Sequence, residues 1–277
     1  MALIVNSNLA SLNAQRNLEA SQGSLNQSLQ RLSSGLRINS AKDDAAGLFI
    51  AEQLTRDIRG TNQAVRNASD GISLGQTAEG ALGEIGNNLQ RIRELAVQSA
   101  NATTGNRTGI QAEVDQLTQE ISRIIQTTEF AGNGLLSAAT SLTFQVGASG
   151  AASNQLSVST VTMTAIAGYN ASLTATGTVN VLSAASSSAA LSALGAALDT
   201  VNQSRATYGA LQNRFEAVIS NLQNYAENLT AARSRIQDAD FAAETANLTR
   251  SQILQQAGVS ILAQANTLPQ TALSLLG

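Results

Sequence analysis

The sequence contains no histidine, cysteine or tryptophan, and it has one lysine and one proline. Without histidine or cysteine, the commonest nucleophile–base pairs and the usual zinc ligands cannot be assembled. No apolar run reaches the roughly 18 residues that a transmembrane helix needs. The first residues also lack the cationic and apolar regions of a secretory signal peptide. We therefore expect no enzymatic activity, cofactor, metal or membrane insertion, and any export would use another route.

Aromatic residues make up 3% of the chain, and the 16 basic and 19 acidic residues leave a net charge of −3. That balance provides no electrostatic footprint for nucleic acid. A large globular core would have few of its usual aromatic anchors. The apolar content comes from alanine, leucine, isoleucine and valine, which suits narrow seams between helices.

The strongest positive signal is a 3,4 repeat of apolar residues, the pattern of a coiled coil. The repeat in the C-terminal half runs over Leu194, Ala197, Val201, Ser204, Tyr208, Leu211, Phe215, Val218, Leu222, Tyr225, Leu229, Ala232 and Ile236. The N-terminal half has Leu54, Ile58, Thr61, Val65, Ala68 and Ile72, and then Leu82, Ile85, Leu89, Ile92, Ala96 and Ser99. Such long seams favour a rod over the alternative, a globular bundle of separate amphipathic helices.

A third seam and a different middle segment complete the pattern. The third seam consists of Ile110, Val114, Leu117, Ile121 and Ile124. Between about 137 and 190 the composition changes to serine, threonine, alanine and glycine. Apolar residues alternate there at Leu142, Phe144 and Val146, at Leu156 and Val158, and at Val179 and Val181. Alternation predicts short strands and hairpins, and the serines at 186–188 resemble surface turns.

Both ends of the chain are helical in pattern and poor in charge. No charged residue precedes Arg16, and none follows Arg250. A neutral, partly apolar surface promotes association, so we expect the ends to order by packing on copies of themselves. The alternative is a frayed tail. The predicted self-assembly residues are Leu25, Leu29, Leu32, Leu36, Ile253, Ile261, Leu268, Leu273 and Leu276.

The predicted fold is therefore mainly α. It is a long antiparallel coiled-coil helical rod built from both chain ends, with a small β-hairpin insertion in the middle. Ser40 stands three residues before Asp43, a capping-box pattern at the start of a helical run. Arg91, Arg93 and Glu94 form a dense charge cluster whose simplest interpretation is a solvated helix face.

Several long sequence blocks resemble bacterial flagellin. They are Arg31-Leu-Ser-Ser-Gly-Leu-Arg-Ile-Asn-Ser-Ala-Lys-Asp-Asp-Ala-Ala-Gly47, residues 88–101, residues 228–238, Gln252-Ile-Leu-Gln-Gln-Ala-Gly258 and Leu262-Ala-Gln-Ala-Asn266. The resemblance covers roughly 1–150 and 190–277. It implies a helical homopolymer, the flagellar filament used for motility, assembled outside the cell after type III export. It also implies an export chaperone and the cap and hook-junction proteins as partners.

The resemblance also implies a division into domains. Residues 1–45 and 237–277 would form the two halves of an inner-tube helical domain. Residues 46–190, with the hairpins at 137–190, and the helix 191–236 would form a surrounding rod domain. About fifty middle residues are too few for the outer variable domains of larger flagellins, so this would be a short form.

Resemblance to flagellins gives the charge cluster a sharper interpretation. The matching helix face in many flagellins is bound by the host sensor Toll-like receptor 5, and the positions here are Arg91, Leu95 and Glu113. The alternatives are a hook–filament junction protein, which would be present in few copies per appendage, and an autonomous coiled-coil adhesin. A flagellin with an inserted metalloprotease would need two histidines, and this chain has none.

Overall fold

The computed structural model describes residues 8–173 and 178–274, with side chains for 8–173 and 178–267. These residues form α1 (Leu9–Ser34), α2 (Ala45–Ala100), α3 (Arg107–Thr127), β1 (Glu129–Phe130), β2 (Asn133–Gly134), β3 (Ser141–Gln145), a 3-10 turn (Ala152–Asn154), β4 (Gln155–Ser159), α4 (Ala184–Gln237) and α5 (Phe241–Ser274). The strands form two antiparallel hairpins, β1–β2 and β3–β4. The prediction of a mainly α fold with a small hairpin insertion is confirmed.

Backbone contacts divide the chain into two units. The terminal unit comprises 1–56 and 228–277, and the central unit comprises 57–227. Their limits fall inside α2 and α4, whereas the sequence boundaries at 45/46 and 236/237 coincide with helix ends. The domain functions inferred from the sequence stay predictions.

The central unit has a continuous apolar core drawn from three helices and the middle segment. Its fully buried members include Leu82, Ile85, Leu89 and Ile92 of α2, Val114, Ile121 and Ile125 of α3, Leu194, Val201, Tyr208 and Phe215 of α4, and Leu135, Leu136 and Met163 between them. Burying one such aliphatic side chain contributes about 1.5–3 kcal/mol. The central unit is therefore stabilised by its own core.

Helix α2 is one continuous helix, as predicted, but part of its predicted seam was wrong by one position. Val65 and Ile72 are only half-buried, and Ala64 and Gly71 occupy the inner positions instead. The reason is close packing: a Cβ added at Gly71 would collide with the ring of Phe215 from α4. Small residues let the two helices approach at this level.

Helix α3 buries polar groups that the apolar repeat did not predict. Val114 and Ile121 are buried as expected, but Thr118 and Ser122 are buried with them, and Leu117 is only half-buried. Ser122 Oγ donates to Thr118 O at 2.8 Å and accepts from the backbone N–H of Asn170 at 2.9 Å. The serine is thus tolerated in the core because its hydroxyl is fully engaged.

The predicted alternation in the middle segment is right for β3 and β4 and wrong at Val179 and Val181. Both valines are buried, but they lie outside any strand. The side chain of Gln111 takes the place of a partner strand: its Nε2 donates to Val179 O at 2.9 Å, and Val181 N donates to its Oε1 at 2.7 Å. The serines at 186–188 are also not turns, because α4 already begins at Ala184.

Along α4 the predicted seam is buried only in its first part. Leu194, Ala197, Val201, Ser204, Tyr208 and Phe215 are buried. Beyond Val218 the seam positions are half-buried, and Tyr225 is 48% exposed. The described core of the central unit reaches Phe215 and Ile219 and extends no further along this helix, so the later seam positions lie outside that core.

The prediction that Ser40 and Asp43 form a capping box at the start of α2 was wrong, because the cap lies four residues after Ser40. Asp44 caps the helix, accepting from Gly47 N at 2.8 Å. Ser40 and Asp43 instead close the preceding turn, where Asp43 Oδ2 accepts from the backbone N–H and the hydroxyl of Ser40 at 2.9 Å each. The hydrogen bond from the Ser40 hydroxyl, and then the one from its backbone N–H, lower the pKa of Asp43 below its usual value.

The terminal unit is built on an antiparallel pair of helices, α1 and α5. Asn8 Nδ2 donates to Ala265 O at 2.8 Å, Gln255 Nε2 to Gln22 Oε1 at 3.0 Å, and Arg31 Nη1 lies 3.6 Å from Glu244 Oε2. Residue numbers rise on one helix as they fall on the other, which fixes the antiparallel direction.

A short backbone bridge joins the two segments that lead out of this pair. Leu36 and Asp238 form an antiparallel β-bridge, in which Arg37 N donates to Gln237 O and Ala239 N donates to Gly35 O at 2.9 Å. Gly35 ends α1 with φ +73°, a left-handed conformation that favours glycine. The bridge ties the chain segments together at the point where α1 ends and α5 is about to begin.

Candidate functional site

The contact between α1 and α5 is lined by small side chains. The buried positions are Ser11, Ala14, Ser21 and Ser28 on α1, and Glu244, Ser251 and Ala265 on α5. Gly258 lies on the same stripe of α5, and a Cβ there would stand 3.3 Å from Leu18 Cδ1. Small residues allow two helices to approach closely, but they bury little apolar area. The pair therefore gains little from its own seam.

The described large hydrophobic side chains of the terminal unit are exposed or half-buried, with one exception. Among its described residues, Ile38 is the one large aliphatic side chain that is fully buried. The exposed ones are Leu9, Leu12, Leu29, Phe49, Ile50, Phe241, Ile253, Leu254, Val259 and Ile261, between 45% and 65% exposed. Extended apolar surface of this kind marks an interaction site in soluble proteins.

The predicted self-assembly residues divide between the seam and the exposed surface. Leu25, Leu32 and Leu36 are half-buried, and Leu29 is 48% exposed. Ile253 and Ile261 are 60% and 59% exposed. The helix includes Leu268 and Leu273, whose side chains lie outside the described set, and Leu276 lies outside the described residues.

Several exposed hydrophobic residues of this unit were not among the predicted self-assembly residues. They are Leu9, Leu12, Phe49, Ile50, Phe241, Leu254 and Val259. Each is a large apolar residue that falls outside the buried stripe of its helix. A search for apolar residues away from the 3,4 repeat would have found them, because such positions need a partner from elsewhere.

The charge cluster on α2 is an ion-pair network with α3. Arg91 Nε donates to Glu113 Oε1 at 2.9 Å, and Nη2 lies 2.8 Å from the same oxygen. Its Nη1 donates to Glu94 Oε2 at 3.2 Å. The hydrogen bonds to Glu113 and then Glu94 raise the pKa of Arg91. The network holds the guanidinium in one place on a surface where all three side chains remain about half exposed or more.

Leu95 lies elsewhere than the sequence analysis placed it. It is 3% exposed and belongs to the core of the central unit. Arg91 and Glu113 meet at the surface, whereas Leu95 packs beneath them and offers a partner almost no surface.

The described residues contain neither a metal site nor a membrane-spanning helix. No group of three or more acidic side chains among these residues could hold a metal ion. No helix within the same residues is long and apolar enough to cross a membrane.

Comparison with known proteins gives the family. Residues 5–141 match the model of the bacterial flagellin N-terminal helical region, and residues 191–276 match that of the C-terminal helical region. A flagellin from Halalkalibacterium halodurans is 44% identical over 277 residues, covering 99% of this chain and 100% of the relative. The chain belongs to the bacterial flagellin family. Flagellin is a structural protein family, not a family of enzymes.

Other flagellins show where this one is short. Flagellin B of Vibrio cholerae is 37% identical over an alignment of 376 positions that covers all of both chains. Because this flagellin has 277 residues, the alignment leaves about a hundred positions without a counterpart here, as expected of a short form.

Two solved structures match parts of this chain. A crystal structure of Bacillus cereus flagellin is 31% identical, covers 61% of this chain and 94% of its own, and has a TM-score of 0.48. A chain from Vibrio parahaemolyticus, described as a flagellar hook-associated protein, has a TM-score of 0.59 at 14% identity, covering 71% of this flagellin and 100% of itself. At that identity the second likeness concerns the fold alone.

Proposed function

We propose that this flagellin polymerises into the extracellular filament of the bacterial flagellum through its terminal unit. The observation that carries the proposal is the contrast in what the units bury. The central unit packs its large apolar side chains into a core of its own. Among its described residues the terminal unit encloses mainly small side chains, and its large hydrophobic ones other than Ile38 are exposed or half-buried, so copies of the chain must cover them to complete that burial.

Terminal helices that gain most of their stability from neighbours should be marginal in the monomer. This property suits a subunit that travels through a narrow export channel before it assembles. The proposal therefore includes type III export, with an export chaperone and the cap and hook-junction proteins as partners. The inner-tube position of 1–45 and 237–277 belongs to the same proposal.

Removal of residues 251–277 tests the role of the terminal unit in assembly. The truncated chain should keep the central unit folded, because that core uses no residue beyond Phe215 and Ile219. It should remain soluble and largely helical by circular dichroism and should form no filaments under electron microscopy. Native filaments from the truncated chain would overturn the proposal.

A pair of matched point variants refines this test. Ile253 in the terminal unit and Leu182 in the central unit are 60% and 50% exposed. Ile253→Ser should raise the protein concentration needed for polymerisation, whereas Leu182→Ser should leave it unchanged. Equal effects of the two variants would contradict a contact specific to the terminal unit.

Recognition of the monomer by Toll-like receptor 5 forms the second part of the proposal, and Arg91 and Glu113 would form the contact. Arg91 is a fixed, half-exposed cation on the helix face where the resemblance places the receptor epitope. Arginine held by hydrogen bonds loses little freedom on binding and is common among residues that dominate interfaces. Leu95 would act only by supporting the helix.

The receptor proposal has a control within the chain. Arg91→Ala should lower receptor activation by soluble monomer at least about tenfold, a loss of about 1.4 kcal/mol or more. Arg123 is also half exposed and pairs with Glu120 on the same face of α3, three residues away, so Arg123→Ala is the matched control. Unchanged activation by the Arg91 variant would overturn this part of the proposal and leave polymerisation unaffected.

A further inference from the structure

An open groove runs along one flank of the α1–α5 pair, within the terminal unit. Its volume is about 610 Å³, the space of about twenty water molecules at about 30 Å³ each. Short side chains leave this space unfilled: Ser21, Ser24 and Ser28 on α1, and Ser251, Ala257 and Gly258 on α5. A groove of this size is too large for one side chain to fill.

The groove carries more positive charge than its own acid balances. Arg31, Arg250 and Glu244 line it. Glu244 is 7% exposed and pairs with Arg31 at 3.6 Å. Arg250 is exposed and forms no ion pair among the described residues. The groove is therefore short of one negative charge.

Arg31 also has an unmet hydrogen-bond donor in the groove. Its Nε atom is buried and has no hydrogen-bond partner among the described residues. Because this atom is enclosed by its own chain, it is not accessible to an incoming partner, and the open charge of the groove is that of Arg250.

Helix α1 presents an acid that its own groove cannot use. Glu19 is exposed and is the one acidic residue of α1. It lies two residues before Ser21 and so points about 160° away from the seam with α5, at about 100° per residue. It is also twelve residues from Arg31, about 18 Å along the helix. Glu19 can therefore reach a groove like this one only on another molecule.

We propose that the groove receives helix α1 of a second copy, with Glu19 of that copy placed against Arg250. This inference rests on the proposed polymerisation and specifies one of its contacts. A third helix packs naturally into the groove between two others. The arrangement joins two different surfaces of the chain, so each added copy presents the same groove again. Such heterologous contacts generate open-ended polymers or rings, never closed pairs.

Charge exchange tests this contact. Glu19→Arg and Arg250→Glu should each raise the concentration needed for polymerisation at low salt by at least about tenfold, because like charges then face each other. The double variant restores opposite charges with their positions exchanged and should regain assembly. Arg250 is the better choice than Arg31, since Arg31 also pairs with Glu244 inside the chain.

Two control variants make the same charge changes elsewhere in the terminal unit. Glu52→Arg and Lys42→Glu alter exposed side chains outside the groove and should assemble normally, and circular dichroism should show the same helicity for all variants. If Glu52→Arg impairs assembly as much as Glu19→Arg, the effect is not specific and the inference is rejected.

The remaining outcomes separate this inference from the proposed function. Normal assembly of Glu19→Arg overturns the inference, even if Arg250→Glu is impaired, because the groove would then hold another partner such as an inorganic anion. Failure of the double variant to regain assembly also overturns it. If the native chain forms no polymer at all, the proposed function itself is wrong.

Discussion

Gly71 and Phe215 set how closely α2 and α4 approach in the central unit. The ring of Phe215 occupies the space where a side chain at 71 would begin. It also meets the ring of Phe144 from β3 edge to face, with centroids 5.5 Å apart and an interplanar angle of 79°. One aromatic side chain thus joins two helices and a hairpin, and its position depends on a glycine.

Gly71→Ala should therefore destabilise the central unit by about 1–3 kcal/mol, the usual cost of overpacking a core. Denaturant unfolding of the monomer, followed by circular dichroism, measures the change. Gly80→Ala in the same helix is the matched control, because no atom lies within 4 Å of its added Cβ.

The control should change stability in the opposite direction. Alanine at an open helical position is favoured over glycine by about 0.5–1 kcal/mol. If Gly71→Ala were as stable as Gly80→Ala, the proposed close contact with Phe215 would be wrong.

At the scale of elements, the apolar repeat predicted where helices lie better than which side chains they bury. It identified α2 as one helix and placed β3 and β4. It chose Val65 and Ile72 for the seam because they are more apolar than Ala64 and Gly71. Close packing favoured the smaller residues, and hydrophobicity alone does not contain that information.

The irregular segment at 179–181 shows a second limit of sequence reasoning. Alternating valines predicted a strand there, but the backbone groups bond to the side chain of Gln111. This residue lies 68 and 70 positions away in the chain. A local pattern cannot reveal such a partner, because an amide side chain on a distant helix satisfies the backbone as well as a strand would.

The candidate sites were also predicted only in part, because side-chain burial and packing are not visible in a local sequence pattern. Family resemblance grouped Arg91, Leu95 and Glu113 as positions matching a receptor epitope, and the side chains of Arg91 and Glu113 meet. The burial of Leu95 was not predicted, because the predicted seam included only Ile92 and Ala96 at this level of α2. The buried face of the helix is wider than that seam and also includes Leu95. The groove beside α1 and α5 was also not predicted, since it arises where short side chains of the two helices face each other.

For the whole molecule, the two units bury different kinds of residue. The central unit encloses leucine, isoleucine, tyrosine and phenylalanine. Among its described residues the terminal unit encloses mainly serine and alanine, together with Glu244 and one large aliphatic residue, Ile38. In this flagellin of 277 residues the main apolar core therefore lies in the central unit. Most of the exposed large hydrophobic side chains lie in the terminal unit.

Electron cryomicroscopy of filaments grown from the purified full-length chain tests the central claim most directly. The account predicts a helical polymer in which α1 and α5 of neighbouring copies pack together and bury Ile253 and Ile261. A polymer held together by central units alone, with the outer faces of α1 and α5 still in solvent, would contradict it.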